Sequence, residues 1–458
     1  MASWATWTFA TMLLATGLTG CVKPYPEEDD VEPWQGHGCF TSYECCVGCG
    51  EPPRPSPQPP TRWPECPTYG ASFARASFLT CALPEPPHPF LAPLTPWRLL
   101  QACDACANAS IATDGERLFV ATEPYLLVAS GFEVRTLRMP SDGLRAPHAA
   151  LDAMSGRLWL VALDASLPLP ALALFAYDGG SDVARVATLD ALAAPPLLAT
   201  TRASVAPLDE GALVVLEGEG AAWAVRYAGG AFSAAERLTP LGGDALVGRP
   251  VADARGRVIV PYAYAPRDPL QQGASLLIPS VASTSLHFAS LADADGAWTQ
   301  HGGMVVQGAR SAPAVETDAR GVSAFAWIDG SGAMRRIESW DDGTAWGTPE
   351  PWSEARSRAS GAPASARALD GRVTGAWWEP HADGARLVVA RALGTTPEAR
   401  EVAARLPAAP AEAALALLRD GRAVVAWVDG SGDVWAGVEA GTLPSRGCDD
   451  AGHCRRHA

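Results

Sequence analysis

An all-β chain is what this sequence predicts: a seven-bladed β-propeller preceded by a small Cys-rich, Pro-rich stalk. Three observations carry that reading. A polar turn ending in glycine, followed by an apolar run, recurs seven times. The runs are short and β-branched or aromatic. The 341 residues between Cys106 and Cys448 contain no cysteine, so that stretch must hold itself by packing.

The anchors are Asp114-Gly115, Ser155-Gly156, Glu210-Gly211, Arg255-Gly256, Arg320-Gly321, Asp370-Gly371 and Asp420-Gly421. Their glycines are 41, 55, 45, 65, 50 and 50 residues apart, and Trp327, Trp377 and Trp427 repeat at the same interval of 50. Self-similarity at this period signals repeat architecture. RLWLVAL, ALVVLE and AVVAW, bounded by Gly and Asp, read as strands. About fifty residues per unit suit a four-stranded blade. A lone blade cannot bury both faces of its sheet, whereas a ring of blades does so mutually. PASARAL and AEAALAL, small throughout, suit innermost strands, and the three Trp would fill gaps between blades. The last unit offers three strands only, so PFLAPLTPWRLL at 89–100 is the candidate to pair its open edge. The Ala-rich stretch 396–418 is the least regular and could hold a short helix.

Ahead of the repeats, residues 1–20 form an apolar segment closed by Leu18-Thr19-Gly20-Cys21. This frame resembles a bacterial lipoprotein signal, although no Lys or Arg precedes it. The resemblance implies cleavage before Cys21 and a diacyl or triacyl (palmitate-type) lipid on it. An ordinary secretory peptide is the competing reading; a spanning helix would need roughly twenty strongly apolar residues. Val22 and Lys23 follow, and the lack of Asp there points, by the same resemblance, to the outer membrane. The protein is then expected to face the periplasm or the cell surface. Residues 21–38 read as a tether, 39–106 as a Cys-rich region with a polyproline spacer at 51–64, 107–445 as the propeller and 446–458 as a tail.

Ten cysteines remain beyond Cys21: Cys39, Cys45, Cys46, Cys49, Cys66, Cys81, Cys103, Cys106, Cys448 and Cys454. An even number in an exported chain reads as disulfides. Cys448 and Cys454, enclosing CDDAGHC, are expected to close the tail on each other. Cys46-x-x-Cys49 and Cys103-x-x-Cys106 also have the spacing of zinc half-sites, and the second that of a redox pair. The oxidising compartment favours pairing, so neither metal nor cofactor is expected.

Ser339, Asp341, Gly343 and Trp346 resemble the Asp-box of sialidase-type propellers, Ser-x-Asp-x-Gly-x-Thr-Trp, with Ala345 where the box has Thr. The resemblance implies a structural hairpin on a blade rim, with Asp341 accepting turn N–H bonds and Trp346 packing below. Arg335 and Arg336 are adjacent and would face opposite sides of a strand, so no arginine cluster assembles from them. No Gly-x-Ser-x-Gly elbow is present, and the eight histidines include no close zinc pair outside the tail. His148 and His301 read as bystanders, and DGSGD at 429–433 and DADG at 293–296 as turns before calcium loops. No catalytic residue is assigned.

A formal charge of −15 argues against nucleic acid, whose phosphates need a basic surface. The expectation is a membrane-anchored extracytoplasmic lipoprotein that binds or scaffolds an envelope protein or glycan, held to the bilayer by lipid alone. The alternative is a glycan-acting hydrolase with its site at the propeller mouth.

Overall fold

The computed structural model describes residues 93–440, apart from 102, 104–105, 132, 142, 168, 267–283, 293–295, 307, 319, 354–358, 369–370, 393–396, 408 and 411. The described strands form seven antiparallel sheets. Blades 1 to 6 run over 110–138, 144–190, 202–237, 243–306, 314–351 and 360–406. Blade 7 takes three strands from 414–439 and its outermost from Leu94–Leu100. Within a blade, strands pair in chain order from first to fourth, and the first strands of successive blades contact one another around the ring. Blade 7's first strand contacts that of blade 1, which closes it.

All seven anchor glycines fall in the turn from first to second strand, each at positive φ. Gly211 shows why the position is selective. Its φ is +154°, and an added Cβ would lie 1.9 Å from the Tyr227 carbonyl oxygen. The repeat therefore records a backbone requirement, felt once per blade.

Seven apolar clusters sit at the seven blade junctions. Each is built from the facing sides of two blades, because alternate residues of a strand point to opposite faces. Leu160 and Ala162 of blade 2 pack toward blade 1, while Val161 packs toward blade 3. The repeated tryptophans lie in second strands and each packs on the preceding blade. Trp327 meets Ile259 and Phe288, Trp377 meets Ala326 and Met334, and Trp427 meets Ala376 and Trp378. A fully buried large apolar side chain contributes about 1.5–3 kcal/mol, so these layers dominate the stability.

Leu94–Leu100 pairs in antiparallel register with Val434–Glu439, from Leu94 opposite Glu439 to Leu100 opposite Val434. The edge left by blade 7 is thus covered by the segment that the sequence offered for it. The propeller accordingly begins before position 107, inside the region assigned to the stalk, because an unpaired strand edge must find a partner. The stretch near 396–418 carries strands Glu398–Leu406 and Ala414–Leu417; pairing with Gly384–Ala392 and Ala423–Val428 overrides the helical bias of its alanines.

The ring has two unlike ends. First strands begin at one, here called the entry end, and the glycine turns crowd the other, the turn end. Second-to-third strand connections lie at the entry end. Pro93 and Ala440, joined by an Ala440 N–H bond of 2.8 Å to the Pro93 carbonyl, lie at the turn end. The preceding and following chain therefore attaches there.

Candidate axial binding site

At the entry end the axis is bridged by charge. Arg202 opens the first strand of blade 3, Arg249 lies between the short strands Gly243–Val247 and Val251–Ala252 at the inner edge of blade 4, and Glu412 precedes the first strand of blade 7. Glu412 takes both guanidiniums: Arg202 Nη1 is in ion-pair contact with Oε1, while Arg249 Nε donates to Oε2 and Nη2 pairs with the same oxygen. Its side chain is 11% exposed. Its backbone is fixed by Trp378 Nε1, which donates to the Glu412 carbonyl at 3.2 Å, and by a bridge to Ala362 of blade 6. Arg202 has a second carboxylate, Glu217 at 2.6 Å, whose other oxygen accepts the Val247 N–H at 3.0 Å. The cluster therefore balances two positive against two negative charges.

Burial, and then the charge of Arg202, push the Arg249 pKa down to about 9, which leaves it charged at neutral pH. His148, on the first strand of blade 2, is 7% exposed. Burial, followed by the charges of Arg249 and Arg202, holds its pKa well below the usual histidine range. It is neutral at pH 7, and its Nδ1 accepts the Val205 N–H at 3.1 Å, which assigns the ring proton to Nε2. Among the described residues neither that Nε2–H nor the hydroxyl of buried Ser204 has a hydrogen-bond partner. Both residues line, with Asn108, Arg202, Arg249 and Glu412, a small cleft that opens to solvent.

The cleft wall is pinned by Glu123. Its carboxylate accepts N–H bonds from Ala107 at 3.0 Å, Asn108 at 3.1 Å and Ala146 at 2.8 Å, and from Asn108 Nδ2 at 3.1 Å. Ala146 holds φ +47°, where L-residues are unfavourable, and the strand register shifts between Arg145 and His148. Just upstream, Cys103 and Cys106 form a disulfide in the connection from blade 7 to blade 1. Cys103 N–H donates to the Gly432 carbonyl at 3.1 Å, which fastens this connection to blade 7.

Cys21, Cys39, Cys45, Cys46, Cys49, Cys66, Cys81, Cys448 and Cys454 lie outside the described residues, as does most of DADG. Ser339, Asp341, Gly343 and Trp346 stand on the turn end of blade 5, remote from the axial cleft. Ser339 Oγ accepts the Gly343 N–H at 2.8 Å, and Trp346 stacks on Phe325 with centroids 5.0 Å apart. Asp341 differs from its expected part: among the described residues its carboxylate meets only the Thr344 hydroxyl, at 3.1 Å. The neighbouring Asp342 is the one that accepts a backbone N–H, from Val322 at 2.9 Å, and it reaches Arg257 of blade 4 at 2.8 Å. Arg335 and Arg336 do separate, to Asp329 at 2.7 Å and to buried Glu316 at 2.8 Å. Asp429 spends its carboxylate on the turn, accepting from Ser431, Asp433 and Trp435. His301 pairs with Ser290 at 2.8 Å within blade 4, away from the axis.

Sequence reading missed Arg202, Arg249 and Glu412. Their shared signal is weak: a charged residue beside one of the inner strands in units three, four and seven. Nothing in the spacing says that the three converge.

The fold and the cleft together define a seven-bladed β-propeller with a polar axial mouth. No protein-family model matches the chain, and no curated protein matches it. Among solved structures it is similar to AofleA from Arthrobotrys oligospora, at 12% identity over 68% of this chain and 89% of that one, TM-score 0.41. It is also similar to a variant of NanB sialidase from Streptococcus pneumoniae, at 10% identity over 77% and 71%, TM-score 0.38. A third is the SapL1 lectin in complex with alpha methyl fucoside, at 10% identity over 65% and 97%, TM-score 0.39. Likenesses at this level do not choose among functions.

Proposed function

We propose that this chain is a lipid-anchored, extracytoplasmic binding propeller that receives a protein partner on its entry end. The observation that carries the reading is a polarity of exposed apolar side chains. Leu167, Leu169, Leu192, Leu198, Leu241 and Val305 are exposed, and all stand at the entry end on or between blades 2, 3 and 4. Leu192 and Leu241 are 80% and 78% exposed. Monomeric surfaces scatter such residues singly; a one-sided set marks an interaction face. Leucines without exposed aromatics suit a protein better than a sugar, which stacks on rings. The one exposed aromatic among the described residues' large hydrophobics, Trp340, is at the turn end. The described residues begin and end at the turn end, opposite this face. The lipobox is the support for anchoring at the outer membrane.

The hydrolase reading draws less support. The mouth carboxylates of Glu123, Glu217 and Glu412 are each engaged by N–H groups or guanidiniums, whereas glycoside hydrolysis calls for two carboxyl groups that flank the substrate.

Photo-crosslinkers placed singly at Leu192, Leu198 and Leu241 test the partner, with Met154 and Trp340 at the turn end as controls. Adducts to one envelope protein are expected from the first three positions only, and Leu192→Asp with Leu241→Asp should abolish them. Adducts to a second copy, to lipid or to glycan, or equal yields at both ends, would overturn the reading. Separately, Cys21→Ala should remove lipid label from the chain; retained label would end the anchoring claim.

A further inference from the structure

We propose that the axial mouth is a second site, for a small monocarboxylate, and that Glu412 fills it in the free protein as a built-in substitute for the ligand. The idea goes beyond the apolar partner face and does not depend on it.

Two guanidiniums from neighbouring blades converge on one carboxylate that arrives from the far side of the ring. That is the arrangement a receptor for a carboxylate would have. Among the described residues Arg249 has no other carboxylate in contact, whereas Arg202 keeps Glu217. The cleft wall also carries two donors that open onto it and meet no acceptor among the described residues, His148 Nε2–H and the Ser204 hydroxyl. Donors that open onto a cleft are placed to serve a ligand that enters it. The strained Ala146 at φ +47° lies in the same wall, held there by Glu123. The two open donors and the two guanidiniums thus line one cleft.

Charge selects its class. If Glu412 withdraws, Arg202, Arg249 and Glu217 leave one uncompensated positive charge. A monoanion restores neutrality; a dianion such as phosphate leaves an excess negative charge in a partly buried site. The ligand is therefore a carboxylate bearing hydroxyls, able to accept from His148 and Ser204 as well as the guanidiniums.

Calorimetric titration of the full chain in detergent with D-glucuronate tests this, with D-glucose as the neutral counterpart and inorganic phosphate as the dianion. Wild type should bind D-glucuronate saturably and D-glucose not at all. Glu412→Gln, which removes the internal competitor, should tighten D-glucuronate by at least about tenfold. Arg249→Gln should abolish it, and Leu192→Asp should leave it unchanged. Thermal melting establishes that each variant is folded; should Glu412→Gln not fold, wild type against Arg249→Gln decides alone. No saturable response in wild type, D-glucose equal to D-glucuronate, phosphate equal to D-glucuronate, or a folded Glu412→Gln with unchanged affinity would overturn the proposal.

Discussion

Arg249 and Glu412 meet across the propeller axis, although one belongs to blade 4 and the other introduces blade 7. In a ring of seven these blades stand opposite, so the contact ties together halves that share no strand pairing. A surface pair of the same residues would contribute little. Here the carboxylate is shielded and its backbone is fixed by Trp378. A double-mutant cycle with Arg249→Gln and Glu412→Gln should give a coupling of about 1–3 kcal/mol in urea unfolding. A coupling indistinguishable from zero would show that the pair does not join the two halves.

Arg391 of blade 6 and Glu439 of blade 7 form a more deeply buried pair. Nη2 lies 2.6 Å from Oε2, the side chains are 3% and 4% exposed, and Glu439 also accepts the Ala423 N–H at 2.8 Å. Removing one partner strands a charge. Glu439→Leu should cost about 3–5 kcal/mol, while the double change with Arg391→Met should recover much of it. Chemical denaturation of the three proteins checks the order.

Stability should fall with acid in two stages. His148 is held neutral in the folded chain by burial, then by Arg249 and Arg202, while the unfolded chain takes up a proton near pH ~6.5. The unfolded state thus binds more protons as pH drops below that value, and stability declines. The second stage belongs to carboxylates. Burial raises the pKa of Glu316, but its bonds to Arg336 outweigh this and hold it below the ordinary range; Asp342 is held down likewise, chiefly by Arg257. Their contribution is complete above the unfolded carboxylate values of about 4 and is lost as pH falls through the depressed folded ones. Urea midpoints against pH should lose the first decline in His148→Gln and part of the second in Glu316→Gln. Parallel profiles for wild type and His148→Gln would refute the first assignment.

Two anchor glycines should respond differently to alanine. At Gly156, φ is +69° and no atom lies within 4 Å of an added Cβ, so Gly156→Ala should cost only the left-handed penalty of about 1–2 kcal/mol. At Gly211 the methyl group would strike the Tyr227 carbonyl, so the hairpin must open. Thermal melts should show a modest shift for the first and a much larger one, or no folded protein, for the second.

Local chemistry explains what could be read in advance. Gly115 to Gly421 mark turns that each blade must make with positive φ, and Trp327, Trp377 and Trp427 fill the same gap between sheets three times. Such signals lie within a few residues of the structure that they specify. Even Leu94–Leu100 was legible, because an unpaired edge has a countable strand missing. Asp342 was not: its role is set by Arg257 of the preceding blade, 85 positions away, and the resemblance pointed to its neighbour.

The chain by itself determined seven sheets, their turns and their closure, since each follows from backbone geometry or from apolar faces repeated in register. Only the tertiary structure decided that Arg202, Arg249 and Glu412 face one another and that the exposed leucines share one end. Those relations arise from ring closure, which brings blade 7 opposite blades 3 and 4 and leaves no trace in the spacing of residues along the sequence.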